Sequence, residues 1–470
     1  MSIQKIDIEK IVKNVIMEFQ NSKNMDKMNT NKEDGIFEDM NEAIAAAKEA
    51  QEKVKTMPIE FREKIIKCIR EKIMEHAKIM AEMGVEETGM GRVGDKIIKH
   101  QLVAEKTPGT ESLTTTAWSG DRGLTLVEQG PFGVIGAITP STNPSETVLC
   151  NTIGMLAAGN TVVFNPHPGA IRVSNYAVKL INEAAKEAGG IINIATSVVK
   201  PTLETADILF KHKDIPLLVA TGGPGVVTAV LSSGKRAMGA GAGNPPVLVD
   251  DTADIEKAAR DIVNGATFDN NLPCIAEKEV VVLDVVADEL IMHMKENGCY
   301  QISGETVNRL IKEVFIEKDG KHILNRKYVG KDAHKILKAI GIEVPETIRC
   351  IIFEGTKDNP MIKEELMMPI LGIVRVKDID EGIKVAVELE GGNRHSAHMH
   401  SKNIDNLTRF GKAVDTAIFV KNGPSYSALG YGGEGYTTFT IASRTGEGLT
   451  YAASFTKSRR CVMADNLCIR

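Results

Sequence analysis

One of the seven cysteines in this 470-residue chain stands in surroundings unlike the others. Cys274 closes the run Phe268-Asp269-Asn270-Asn271-Leu272-Pro273, which is polar and turn-forming and lies between a helical pattern and a β-branched run. A thiol in such a loop, flanked by backbone N–H donors, can have its pKa lowered and act as a nucleophile. Cys68 falls at an apolar helical position and Cys150 in a mixed stretch, so both are expected as buried packing residues. His395, His398 and His400 form a second cluster whose spacing raises a metal site. On a strand, side chains alternate, so His398 and His400 share one face while His395 points to the other. Three ligands cannot converge that way, and no metal is expected. Thr221-Gly222-Gly223 opens the turn after a β-branched run, where glycines let a backbone approach a nucleotide.

These groups must be carried by elements that the hydrophobic pattern locates. From Glu38 to Met83 the pattern is helical, broken at Pro58, and Gly84–Gly94 reads as a glycine-punctuated loop. Strands are then expected at Thr125–Val127, Val134–Ile138, Thr161–Phe164, Ile191–Ile194 and Leu217–Ala220, with helices at Ser174–Glu187 and Gly225–Ser232. A second run of strands is expected at Val247–Val249, Val280–Leu283, Cys350–Phe353, Gly372–Val376, Ala397–His400 and Thr416–Val420. Strand–helix alternation of this kind implies parallel βαβ units and doubly wound sheets. The glycine- and proline-rich join Gly239–Pro246 marks the domain boundary. Ahead of everything, Ile8, Ile11, Val12, Val15, Ile16 and Phe19 make one apolar stripe of a helix, followed by a polar linker from Gln20 to Asp34. A short helix on a tether cannot bury its apolar face alone, so it should dock on its own domain or on another protein.

Composition narrows the class. With 57 basic and 62 acidic residues the net charge is −5, so no nucleic-acid field is implied. No apolar run approaches the roughly 20 residues that span a bilayer. Charges at Lys5, Asp7, Glu9 and Lys10 stand where a signal peptide would be apolar. An odd cysteine count without a CxxC pair argues against a disulfide framework and a structural zinc, and for a reducing, cytoplasmic setting.

Four segments in register around Cys274 carry a resemblance. They are Pro131 to Pro144 (PFGVIGAITPSTNP), Ala158 to Asn165 (AGNTVVFN), Thr221-Gly222-Gly223, and Glu364 to Pro369 (EELMMP). From about residue 36 onward the chain resembles the aldehyde dehydrogenase superfamily. That resemblance implies an α/β fold with two Rossmann-like parallel-sheet domains and a small β oligomerisation element. Its parts would be a cofactor domain (36–109 and 130–243), the oligomerisation element (110–129 and 457–470) and a catalytic domain (244–456). Hydrolytic members carry a Glu-Leu-Gly-Gly-Lys run whose glutamate activates water. The matching residues here are Ala240 to Asn244 (AGAGN), and a thioacyl enzyme without a positioned base waits for a better nucleophile than water. The chain is therefore similar to the CoA-acylating branch, which makes acyl-CoA from short aldehydes, propionaldehyde foremost.

The resemblance also assigns roles. Cys274 would form the thioester, and the oxyanion would be held by its own N–H and a side-chain amide, Asn143, although an ungapped register puts Thr142 there. His395, in a segment similar to one of the acylating branch, would take the proton of the CoA thiol, an imidazole near its usual pKa of about 6.5 being suited to that. NAD would be held by Thr139, Pro140, Asn165, Pro166, Thr221, Gly222, Gly223 and Glu365, the last on the nicotinamide ribose. Pro168 replaces the family's adenosine-ribose glutamate, which leaves NADP admissible. Thr142, Ile275, Tyr451 and Phe455 would line the acyl pocket, with Tyr451 shortening it. A homodimer or homotetramer is implied. Residues 1–19, with linker 20–35, resemble the peptide by which members of this branch bind a bacterial microcompartment shell.

Overall fold

The computed structural model describes residues 34–318 and 321–469, so the stripe Ile8–Phe19 and the linker up to residue 33 lie outside it. Chain contacts gather two compact units, one made of residues up to 83, 99–240 and 436–470, the other of 84–98 and 241–435. Three segments differ from the division expected from the sequence. Residues 84–98 and 241–243 group with the second unit, and 436–456 with the first.

The first unit is built on six parallel strands in the order Ile36–Phe37, Ala195–Val198, Thr161–Asn165, Val134–Ile138, Leu217–Thr221 and Arg236–Ala240. The chain enters centrally at Val134–Ile138, winds outward to Ala195–Val198, then crosses to Leu217–Thr221 and Arg236–Ala240. Its direction therefore reverses between Val134–Ile138 and Leu217–Thr221, the place where α/β sheets open a crevice at their carboxyl ends. The central strands are buried along their whole length, which is why they read as unbroken apolar runs. Helix Met40–Thr56 starts where the Asp39 carboxylate accepts the N–H groups of Asn41 and Glu42. It lays Ala43, Ile44 and Ala47 on the sheet, all fully buried.

Pro58 separates this helix from the next, Ile59–Thr88, which runs straight through Gly84 where a loop was expected. A single glycine costs a helix only about 1 kcal/mol, and the helix buries Ile65, Ile69, Ile73, Ala77 and Met80 along one face. The strand expected at Ile191–Ile194 forms instead at Ala195–Val198, because Asn193 takes a φ of 62° that no strand accommodates. Cys150 is buried as expected, whereas Cys68 is only half-buried and faces the Glu187 carboxylate.

The expected β element is an antiparallel sheet of Thr116–Gly120, Gly123–Pro131 and Thr456–Ala464, with Thr456 opposite Pro131 and Ala464 opposite Gly123. It leaves Trp118, Val462 and Met463 exposed.

The second unit has seven parallel strands in the order Cys299–Gln301, Cys350–Glu354, Ile370–Val376, Glu279–Leu283, Pro246–Val249, Ser396–His400 and Ile418–Lys421. Alternate residues of one strand serve opposite faces. Val281 and Leu283 join the core with Leu310, Phe353 and Phe410, while Val280 and Val282 join the one with Ile262 and Leu290. The short strand Cys299–Gln301 is too brief and too polar to show in the pattern. Among the described residues no helix is long and apolar enough to cross a membrane.

Candidate active site

In the second unit, helix Ile255–Thr267 hands the chain to the loop that ends at Cys274. Asp269, Asn270 and Asn271 have φ of 48°, 54° and 69°, three consecutive side-chain-bearing residues in the left-handed region. Asp and Asn are the residues that enter this region at least cost, which gives the polar run a backbone reason. Buried partners hold each one. Asp269 accepts from Lys96 Nζ at 3.0 Å and from the Arg92 N–H at 2.8 Å. Its carboxylate presses on Gly91, where a Cβ would stand 2.1 Å from Oδ1, so only glycine fits. Asn270 Nδ2 donates to the Gly330 carbonyl at 2.9 Å and to Asp332 at 3.0 Å. Asn271 Nδ2 donates to the carbonyls of Ala266 and Glu277, both at 2.9 Å. Lys278 Nζ donates to Asn271 Oδ1 at 2.7 Å and to its carbonyl at 3.0 Å.

Four adjacent strands of the sheet bring one group each to their amino ends: Glu365 before Ile370–Val376, Cys274 before Glu279–Leu283, Gly243 before Pro246–Val249, and His395 before Ser396–His400. Gly243 is the tight point. A Cβ there would lie 2.9 Å from His395 Cγ and 3.1 Å from the Cys274 carbonyl oxygen. The Gly243 N–H donates to the Glu365 carboxylate, which also stands 4.0 Å from Lys278 Nζ. Cys274, Glu365 and His395 are thus brought together, with Lys278 among them.

Burial pushes the Cys274 thiol up to about 12; Glu365 adds to the rise, while Lys278 and the N–H groups of Cys274 and Ile275 oppose it. The lowered thiol expected from the loop alone is overturned, because desolvation outweighs the backbone donors. Cys274 nevertheless keeps part of its surface open to reactants. His395 is buried, its Nδ1 2.9 Å from Ser396 Oγ. Burial, with Lys278 and His398, lowers it to about 4, so it is neutral at pH 7 rather than poised near 6.5. His398 Nε2 donates to the Ile275 carbonyl at 2.9 Å, tying down the residue after Cys274. Ile275 itself is buried. Desolvation lowers both His398 and His400 to about 3.

In the first unit the candidate residues lie at the carboxyl ends of three adjacent strands. Thr139-Pro140 follows Val134–Ile138, Asn165-Pro166 closes Thr161–Asn165, and Thr221-Gly222-Gly223 closes Leu217–Thr221 and opens helix Pro224–Leu231. A Cβ on Gly222 or Gly223 would meet nothing within 4 Å, and the buried Thr139 hydroxyl has no protein partner among the described residues. Open glycines, a helix N-terminus and an unspent hydroxyl fit a dinucleotide. Asn165 Oδ1 accepts from Thr205 Oγ1 at 2.6 Å, and His167 Nδ1 accepts from the Gly169 N–H at 3.0 Å.

Asn143 caps helix Pro144–Ala157 by position, yet its side chain makes no capping bond. Its Oδ1 accepts from Lys99 Nζ at 2.6 Å, and Lys99 also pairs with Glu146 at 2.9 Å, both fully buried. An ammonium only donates, so the amide oxygen faces Lys99 and the NH2 faces away, 3.3 Å from the part-exposed Thr142 hydroxyl. Part-exposed Tyr451 lies 5.5 Å from the Tyr436 ring, and Phe455 is buried against Gly154, where a Cβ would stand 3.1 Å from its ring. Sequence reading missed Lys96, Lys99 and Lys278, since lysines in a polar pattern read as solvated. The available signal was Glu277-Lys278-Glu279 directly before Val-Val-Val-Leu, three charges at the mouth of a buried strand.

The model described as the aldehyde dehydrogenase family matches residues 21–454. The acetylating acetaldehyde dehydrogenase of Salmonella typhimurium is 47% identical, the match covering 98% of each chain. The structure of a propionaldehyde dehydrogenase from the Clostridium phytofermentans fucose utilisation bacterial microcompartment has a TM-score of 0.91 and 69% identity, covering 93% of this chain and 100% of that one. A Rhodopseudomonas palustris propionaldehyde dehydrogenase with bound CoA and an acylated cysteine has a TM-score of 0.91 and 52% identity, over 93% of this chain and 100% of that chain.

Proposed function

The chain belongs to the aldehyde dehydrogenase family, and from that membership we propose that it oxidises a short aldehyde, propionaldehyde foremost, to acyl-CoA. The observation that carries acylation over hydrolysis is the segment Ala240–Asn244. Ala240 is a buried methyl where the hydrolytic pattern has its base, and the Asn244 amide is spent on the carbonyls of Ile362 and Leu389. The Glu365 carboxylate is engaged by the Gly243 N–H and lies 4.0 Å from Lys278.

In this reading Cys274 first gives up its thiol proton to water; Sγ then bonds to the aldehyde carbon and the carbonyl electrons move onto oxygen, held by the Cys274 N–H, with the Asn143 amide the second donor that the resemblance implies. The strand ends of the first unit would hold NAD, which would supply the hydride acceptor; loss of the hydride leaves a thioester on Cys274. The CoA sulfur then attacks the acyl carbon, the Cys274 bond breaks, and the CoA thiol proton passes to neutral His395. The sum is aldehyde, NAD⁺ and CoA giving acyl-CoA, NADH and a proton. The relatives that carry the substrate are the acetylating dehydrogenase of Salmonella typhimurium and the propionaldehyde dehydrogenase of the microcompartment. Pro168 stands where the family pattern has its ribose-binding glutamate, so NADP is a second hydride acceptor to assay.

The antiparallel sheet Thr116–Gly120, Gly123–Pro131, Thr456–Ala464, with its exposed Trp118, Val462 and Met463, supports assembly into a dimer or tetramer. Residues 1–19 are proposed to dock on a microcompartment shell protein, placing the enzyme inside that compartment. Deleting residues 1–34 should leave turnover in solution and release the enzyme from a shell fraction; unfolding would make the segment part of the core.

The test of function is NADH formation from propionaldehyde and NAD, with and without CoA, and the product identified by mass. Turnover only with CoA, giving propionyl-CoA, is expected. Equal turnover without CoA, giving propionate, would mean that water is activated and that Ala240 has been misread.

A further inference from the structure

We propose that Lys278 is the positioning residue of the nucleophile: its ammonium fastens the left-handed turn that presents Cys274 and supplies the positive charge that favours the thiolate. The inference rests on the reading of Cys274 as nucleophile. It begins with the sheet. In a parallel sheet the helices end where the next strands begin, so amino ends of strands face helix C-termini. Those carry partial negative charge. Cys274 sits on that side of its own sheet, after helix Ile255–Thr267 and not at the start of one. Within this unit a thiolate draws its nearest cation from a side chain.

Lys278 is the side chain that meets this need. It is 4% exposed, and two of its three donors are taken by Asn271, at 2.7 and 3.0 Å. Asn271 is the third left-handed residue of the turn, a conformation costing on the order of 1 kcal/mol that persists only when its surroundings impose it. The titratable groups that share its field are Cys274, Glu277, Glu279, Glu365 and His395. Burial holds Glu277 up to about 8, so it is neutral at pH 7 and does not cancel the ammonium; burial also raises Glu279 well above the carboxylate range and lowers Lys278 itself, against the opposing pull of Glu365 and Cys274. His395 is neutral as well. Glu365, at 4.0 Å, remains as the partner that makes a buried ammonium tolerable.

The experiment is alkylation of Cys274 by iodoacetamide in the full chain at fixed pH values from 6 to 9, followed by mass on the Cys274 peptide. Lys278→Met should slow alkylation at pH 8 by about tenfold, the effect of one pKa unit, and Lys278→Arg should stay within about threefold of wild type. Lys278→Gln separates charge from fastening and serves also if the Met variant does not fold, since it keeps a donor for Asn271. Slow alkylation in Lys278→Gln supports the proposal. Wild-type alkylation in that variant would overturn it, leaving a structural tie to Asn271 only. Failure of the underlying reading would show differently, as NADH turnover retained in Cys274→Ser.

Discussion

The two parallel sheets use opposite ends. In the first, Thr139, Asn165 and Thr221-Gly222-Gly223 stand at carboxyl ends of adjacent strands, with open glycines and a helix N-terminus beside them. In the second, Glu365, Cys274, Gly243 and His395 stand at amino ends of adjacent strands, crowded, with Gly243 and His395 buried and the other two part-exposed. Carboxyl ends offer backbone N–H groups and a positive field, which suit a phosphate-bearing ligand and need little from side chains. Amino ends lack that field, so the charges that chemistry needs there must come from side chains. That is where the structure places a strained turn, a buried lysine and histidines stripped of their charge.

The comparison breaks first at the nucleophile. Cys274→Ser should lower NADH formation by at least about 10⁴-fold, as loss of a covalent nucleophile does, while NAD binding by fluorescence titration stays intact; lost NAD binding would show that the two ends are not separable. Next comes the amide of the first unit. Asn143→Ala should cost about 10²–10³ in kcat, the usual loss for one oxyanion donor. Lys99→Met, which frees the amide to turn, should cost about tenfold alone and nothing further in the Asn143→Ala background. Additive losses would mean that Lys99 acts elsewhere.

At the carboxyl ends, Gly223→Val should raise the KM for NAD about tenfold and leave iodoacetamide alkylation of Cys274 unchanged. Gly223 has an ordinary φ of −62°, and its Cβ would meet no protein atom within 4 Å, so the protein has room for the methyls and only a ligand would not. The smallest effect is on stability. Glu277 is pushed by burial to about 8, above the 4.5 it has when exposed. Its neutral form is favoured in the folded chain, so that contribution is complete below pH 4.5 and lost as pH rises through 8. The melting temperature should therefore fall between pH 5 and 8.5, and Glu277→Gln should flatten the fall; an unchanged slope would mean that the carboxyl is not the group titrating.

Much of this was legible in the chain. The central strands appear as apolar runs because both of their faces are covered, and Val134–Ile138 was found to the residue. Cys274 stood out by its neighbours. Where local pattern and packing disagreed, packing won. Gly84 is helical because a buried stripe outweighs one glycine, and the strand after Ile191 starts late because Asn193 turns left-handed. The roles of the lysines were not legible, because a buried ion pair joins residues far apart in sequence, as Lys96 joins Asp269 and Lys99 joins Glu146.

The sequence by itself determined the two βαβ series, the thiol in its polar turn and the glycines at Thr221-Gly222-Gly223. These are local facts of side-chain type and period. Only the tertiary structure decided the charge states: a thiol raised rather than lowered, histidines held neutral and Glu277 held up to about 8. The physical reason is that a pKa responds to how much water a group loses and which charges approach it, and both are set by distant strands meeting at one end of a sheet.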